Sequence, residues 1–259
     1  MIEALRTLLK AVLLIAHLAI GVLLAAALTV DFRRKLAPEK LAKWWSVRLL
    51  SILNIEVQIH GRSIAGSRVL VANHISWLDI PVIAALEETR FVAKSEVREW
   101  PIVGWFAIAA GTFFIRRGKG GAKPLLTKAL PHLRAGGAFL FFPEGTTTTG
   151  NSVLKFHARL FSAAIDAQCP VQPIALRYEL TARGEAVAPF IGDDDLVSHI
   201  LRVLRTPALT VQMTYCPVIA PDAIDRDTIA QQAHAAIARN VTPVVATLPA
   251  EDLPELVAA

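Results

Sequence analysis

The chain has 259 residues, 54% hydrophobic and 19% charged, too apolar for a disordered segment and long enough for one large domain, or for a domain plus an appendage. Its two cysteines, Cys169 and Cys216, cannot frame a disulfide scaffold or a paired-cysteine zinc site, so a reducing compartment is the default reading. A formal charge of +5 suits an acidic partner, and with a mean hydropathy of +0.46 that partner reads as anionic lipid instead of nucleic acid.

In chain order the first feature is Ala11 to Val30, a run without a formal charge interrupted only by His17, Gly21 and Thr29. As a helix it would be about 30 Å long, the thickness of a bilayer's hydrocarbon core. Arg6 and Lys10 precede it as they would in a signal peptide, but the run exceeds the roughly 7 to 15 apolar residues such a peptide carries. A buried helix of a soluble core is the other alternative. Asp31, Arg33, Arg34 and Lys35 follow, then Lys40, Lys43 and Arg48. By the positive-inside rule this downstream basic excess puts the rest of the chain on the cytoplasmic side of the inner membrane. Pro38 to Ile52 is expected as an interfacial helix, with Leu41, Trp44, Trp45, Leu49 and Ile52 mostly at helical spacing. Both tryptophans would sit at the membrane boundary and Lys40, Lys43 and Arg48 would meet headgroups; an amphipathic core helix gives the same pattern. Residues 1–54 therefore read as a membrane anchor, either spanning or folded back within one leaflet.

From Ile55 short β-rich segments alternate with helical ones, the pattern of an α/β domain, here over 55–241. Expected strands are Ile55 to His60, Arg68 to Ala72, Thr112 to Ile115, Ala138 to Phe142, Val171 to Leu176 and Leu209 to Tyr215. Helical stretches lie at Ile80 to Glu88, Lys123 to Leu133, Ala158 to Ala167 and Asp195 to Leu204. Strands as apolar as Ala138 to Phe142 are covered on both faces, as in a mostly parallel central sheet flanked by helices. Asp193 to Asp195 read as an acidic cap on the last helix. The tail 242–259, with Pro243, Pro249 and Pro254, is expected to be weakly ordered.

Three segments carry candidate chemistry. The strand Arg68 to Ala72 runs into Asn73-His74-Ile75-Ser76-Trp77-Leu78-Asp79 and then a helical stretch. If the loop turns back, Asp79 can hold one imidazole nitrogen of His74 and leave the other as a general base; Asp79 also reads simply as an acid in a helix's first turn. Phe142-Pro143-Glu144-Gly145-Thr146 ends a buried strand in a loop, where open α/β sheets build sites and glycine admits close approach of a ligand; the alternative is a β-turn with a solvated Glu144. Gly111 to Gly118 is an apolar strand ending in Arg116 and Arg117, with Lys119 and Lys123 behind. Arginine forks suit a phosphate, though a solvated basic loop fits as well. The following Gly-rich stretch lacks nucleotide-binding spacing. The remaining histidines, His17, His60, His132, His199 and His234, have no carboxylate at a telling spacing and read as structural or surface residues.

In this order the segments resemble the glycerolipid acyltransferase family: its Asn-His-x4-Asp block at Asn73 to Asp79, its Gly-x-x-Phe-x-x-Arg block at Gly111 to Arg117, and its Phe-Pro-Glu-Gly-Thr block at Phe142 to Thr146. A further apolar block with a central proline matches Val171 to Ile174. The resemblance implies that fold and a direct transfer: His74, oriented by Asp79, draws the proton from a lysolipid hydroxyl, which attacks the thioester of acyl-ACP or acyl-CoA without an acyl-enzyme. Arg117 and the loop Glu144, Gly145 and Thr146 would then position the acceptor's head group, and no metal or other cofactor is required. The acceptor most expected is 1-acyl-sn-glycerol-3-phosphate. Two departures bear on it: Thr147 stands where many members carry Arg, and His157 and Arg159 stand where Lys and Gly are common. The Thr-rich variant also resembles the branch that includes lyso-ornithine lipid acyltransferases. Against an enzyme stands a peripheral lipid-binding protein, which leaves His74, Asp79 and Glu144 without a role. No base-reading motif or aromatic-basic interleaving suggests a nucleic-acid partner.

Overall fold

The computed structural model describes residues 2–31, 35–116, 122–222 and 224–241. Its helices are α1 (Ile2–Val30), α2 (Pro38–Leu53), α3 (Asp79–Ala84), α4 (Val103–Ala109), α5 (Ala122–Arg134), α6 (Ser162–Ala167), α7 (Leu196–Arg205) and α8 (Arg226–Val241). Strands β1 (Ile55–His60), β2 (Arg68–Ala72), β3 (Arg90–Lys94), β4 (Phe113–Ile115), β5 (Ala138–Phe141), β6 (Val171–Tyr178) and β7 (Leu209–Tyr215) form one sheet, ordered β1-β7-β6-β2-β5-β3-β4. Neighbours run parallel except β6 and β7, so the sheet is mixed and mostly parallel as the apolar strands predict. Alternate residues of the central strands feed two cores. On one face α5, α6 and α8 pack around Phe139, Phe141 and Phe161. On the other, α2, α3 and α7 pack around Leu70, Leu140, Ile174 and Leu176. Asp195 caps α7 by accepting the Ser198 N–H at 2.9 Å, while Asp194 pairs with Arg202.

Several element limits differ from the sequence pattern. The helix expected to reach Glu88 closes at Ala84, and Ala158 to Ala167 divides into a 3-10 turn, Ala158–Phe161, followed by α6. The pattern gives no sign of β3, α4 or α8. In β3 only Phe91 is buried, so there is no alternation to read. In α8 half of the buried residues are alanine, which contributes little periodic contrast.

α1 extends well before the uncharged run and lies along the body, touching α2, α4 and α7. Its buried residues, Lys10, Leu14, His17, Gly21 and Ala25, share one face. The Lys10 ammonium donates to the carbonyls of Leu53 and Thr206 at 2.9 Å and of Pro207 at 3.3 Å, closing the C-terminal ends of α2 and α7, where a cation also meets the helix dipoles favourably. The His17 ring stacks on Trp45 with centroids 4.6 Å apart, and the Trp45 indole N–H donates to the His17 carbonyl at 3.2 Å. Gly21 leaves no room for a side chain: a Cβ there would stand 2.7 Å from Phe106 Cζ. Leu5, Leu8, Leu9, Val12, Ile15 and Leu23 are exposed on the opposite face. The helix therefore turns Lys10 and His17, together with Leu14, Gly21 and Ala25, towards the protein and an apolar face towards the surroundings. Trp45, expected at the membrane boundary, is instead folded under α1, whereas Trp44 is exposed. Lys43 turns inward and donates to the Leu86 carbonyl at 2.9 Å. Arg33, Arg34 and the tail 242–259 lie outside the described residues.

Candidate active site

β6, β2 and β5 are adjacent and parallel, so their C-terminal ends open on one edge of the sheet, where α/β proteins build sites. At the end of β2 the buried Asn73 amide donates to the Leu176 carbonyl at 2.9 Å and accepts the Leu176 N–H at 2.8 Å. A side chain thus continues the β2–β6 ladder after the backbone has left it. Turning away at this point, the chain presents His74.

His74 is held from several directions. Its N–H donates to Glu144 Oε1 at 2.7 Å, and its carbonyl accepts the Thr148 N–H at 2.9 Å. Its ring lies flat on Phe142, centroids 3.9 Å apart and planes 12° from parallel. Nδ1 stands 2.8 Å from Asp79 Oδ2. Asp79, fully buried at the start of α3, also accepts the N–H groups of Ile75 at 2.7 Å and Ser76 at 2.9 Å on Oδ2, and the Tyr178 hydroxyl at 2.9 Å on Oδ1. A carboxylate accepts and does not donate, so Nδ1 carries the proton and Nε2 keeps the lone pair. With the imidazole 19% exposed, the pair can accept a proton from an incoming group.

Glu144 is buried after β5, and its second oxygen accepts the Leu154 N–H at 2.8 Å. Burial pushes its carboxyl above the ordinary value, and the Leu154 and His74 N–H groups pull it partly back. The two bonds tie the His74 loop to the segment after the Thr-rich turn. Gly145 bends the chain with φ 71°, a region costly for other residues, and Thr146 beside it is exposed. His74, Asp79 and Glu144 thus form one cluster, with Gly145 and Thr146 in the adjoining turn. Arg117 lies outside the described residues; Arg116 is exposed just after β4, which β3 separates from β5. Lys155, His157 and Arg159 are exposed beyond the turn, and the His157 N–H donates to the Pro143 carbonyl at 2.9 Å.

Sequence reasoning missed Asn73, Phe142, Thr148 and Tyr178 as parts of this geometry. Tyr178 alone had a readable signal: it shares strand parity with Ile174 and Leu176, which face the α3 side. His199, expected to be structural, is fully buried and accepts the Trp77 indole N–H at 3.0 Å.

A family model described as Acyltransferase matches residues 54–177. A lyso-ornithine lipid O-acyltransferase of Pseudomonas aeruginosa is 41% identical over 238 residues, 90% of this chain and 92% of that protein. A 1-acyl-sn-glycerol-3-phosphate acyltransferase of Neisseria gonorrhoeae is 35% identical over 159 residues, 61% of this chain and 62% of that protein. The crystal structure of the 1-acyl-sn-glycerophosphate acyltransferase PlsC of Thermotoga maritima superposes with a TM-score of 0.67 at 22% identity, covering 92% of this chain and 94% of that one. That likeness concerns the fold, whereas the long alignment and the family match concern ancestry: the chain belongs to the acyltransferase family.

Proposed function

We propose that the protein is a membrane-bound O-acyltransferase that moves a fatty acyl group from acyl-ACP or acyl-CoA to the free hydroxyl of a lysolipid. The observation that carries this reading is the His74–Asp79 pair, whose Nδ1 to Oδ2 distance is 2.8 Å, at the open edge of the sheet. His74 Nε2 takes the hydroxyl proton as the acceptor oxygen bonds to the thioester carbonyl carbon. The carbon–sulfur bond then breaks, and the leaving thiolate takes the proton from the imidazolium. Asp79 holds the tautomer and stabilises the imidazolium that forms. Arg117, Gly145 and Thr146 position the acceptor's head group, and Glu144 shapes that site through the His74 and Leu154 backbone it holds.

Two acceptors have support. The long alignment with the Pseudomonas protein, and Thr147 in place of a cation, favour a lyso-ornithine lipid. The Neisseria relative, and the cations Lys155 and Arg159 exposed beyond the Thr-rich turn, favour 1-acyl-sn-glycerol-3-phosphate, giving phosphatidic acid. Both acceptors are amphiphiles, which suits a protein seated on the cytoplasmic face of the inner membrane. The apolar outer face of α1, with Trp44 and Trp105 exposed nearby, supports that seat. Because α1 is bonded along the body, a position within one leaflet fits better than a free-standing span.

The test is a lipid-resolved assay of the purified full chain with labelled acyl-ACP and acyl-CoA against a panel of lysolipids. O-acylated product is expected from lyso-ornithine lipid, lysophosphatidic acid or both, and their relative rates choose the acceptor. Absence of product from every lysolipid, with a folded protein, contradicts the proposal.

A further inference from the structure

We propose that Tyr178 is a positioning residue for the His74–Asp79 pair, its hydroxyl fixing the second oxygen of Asp79 so that the first stays aligned on the imidazole. The inference rests on the reading of His74 as the base and adds a residue beyond the family match, which ends at residue 177.

Asp79 is fully buried, so each of its oxygens needs a partner inside the protein. Oδ2 accepts three N–H groups, those of Ile75 and Ser76 and the His74 imidazole. Oδ1 accepts the Tyr178 hydroxyl at 2.9 Å. A carboxylate anchored through one oxygen can tilt about its own bond; anchored through both, its plane is set, and with it the direction in which Oδ2 meets Nδ1.

Tyr178 is itself rigidly placed. It ends β6, in register with Val211 of β7, and two residues earlier the Asn73 amide clasps Leu176. Asn73 thus ties β6 to the same loop that carries His74, and Tyr178 closes the circuit from β6 to Asp79. Burial first, and then the Asp79 charge, push the Tyr178 phenol well above its ordinary value. It therefore remains a donor throughout any working pH range and does not titrate in the assay.

Tyr178→Phe keeps the ring and removes the donor. Without it the buried carboxylate binds a proton, or a protonated imidazole, more avidly, so the His74 titration rises. Among the described residues, the other ionisable groups towards the pair are Glu144, which holds the His74 N–H from the loop after β5, His199 of α7, which lies behind Trp77, and His157, beside Gly145. All three remain in the variant.

The experiment compares the full-length wild type, Tyr178→Phe and His74→Ala. It reads kcat, KM and the pH profile of kcat/KM, together with the His74 ring titration by nitrogen-15 NMR of histidine-labelled protein, assigned through His74→Ala. For Tyr178→Phe, kcat should fall by about 10- to 100-fold with KM within about twofold, and the acid limb and the NMR midpoint should both rise by roughly half a pH unit or more. Wild-type kcat overturns the proposal. A fall in kcat with an unmoved limb and midpoint, as general loosening of β6 would give, overturns it too. If His74→Ala retains activity, the base assignment fails separately, and the NMR midpoint still decides whether Tyr178 sets the pair.

Discussion

At the scale of single residues, His74 is fixed by its backbone as much as by its ring, and this makes Glu144 informative. Both Glu144 oxygens accept backbone N–H groups. Glu144→Ala strands those two donors, each costing about 1 to 3 kcal/mol where water cannot enter. The expected outcome is a lower Tm and a lower kcat together; a raised KM at unchanged Tm and kcat, the signature of direct substrate contact, contradicts it. Asp79→Asn is expected to lower kcat by at least about 100-fold, because the amide oxygen must keep accepting the Ile75 and Ser76 N–H groups and the neutral amide no longer stabilises the imidazolium that forms; steady-state kinetics checks this. His74, Asp79 and Glu144 were legible because each is a rare polar residue at the end of an apolar strand or the start of a helix. The roles of Asn73, marked only as part of the Asn-His-x4-Asp block, and of Tyr178, marked only by its strand parity, were not, because they depend on β6 lying beside β2, a pairing across about a hundred residues that no local pattern encodes.

At the scale of elements, α1 is bound to the body by polar groups on its inner face. Lys10→Met removes the donor from three carbonyls at the ends of α2 and α7. A loss of about 1 to 3 kcal/mol is expected, seen as a Tm several degrees lower in detergent. An unchanged Tm would mean that the ammonium contributes no stability there. The sequence pattern marks the apolarity of this helix and its end at Val30 but places its start at Ala11 instead of Ile2 and takes Lys10 as a flank, since hydropathy cannot tell a charge facing water from one facing carbonyls. The same limit explains Trp45: helical spacing placed it on an apolar face, and that face turned out to be covered by α1. Central strands were found nearly to the residue because burial on both faces leaves them apolar throughout, while β3 and α4, short and only partly buried, carry no such mark.

At the scale of the whole molecule, both cysteines are buried, and burial pushes the Cys216 thiol up to about 11. The stability tied to this protonated thiol is fully present below its ordinary value of 9.0 and is lost as the pH rises through about 11. At pH 8 only roughly a thousandth of it is thiolate, so the native protein should react far more slowly with a thiol reagent than the denatured protein; equal rates would contradict the burial. The net charge of +5 and the apolar outer face of α1 together predict binding to vesicles containing anionic lipid, weakened but not abolished by added salt, since screening removes only the charge contribution. Sedimentation with vesicles at low and high salt measures this, and complete release by salt would argue against insertion of α1. The proposed chemistry turns on one step, removal of a hydroxyl proton by His74 at the open end of β2. The most direct test is thioester consumption by purified His74→Ala beside wild type, with the same lysolipid and donor. A folded, membrane-bound variant with activity reduced at least about 100-fold is the expected result, and a variant that keeps most of the wild-type rate would contradict the account.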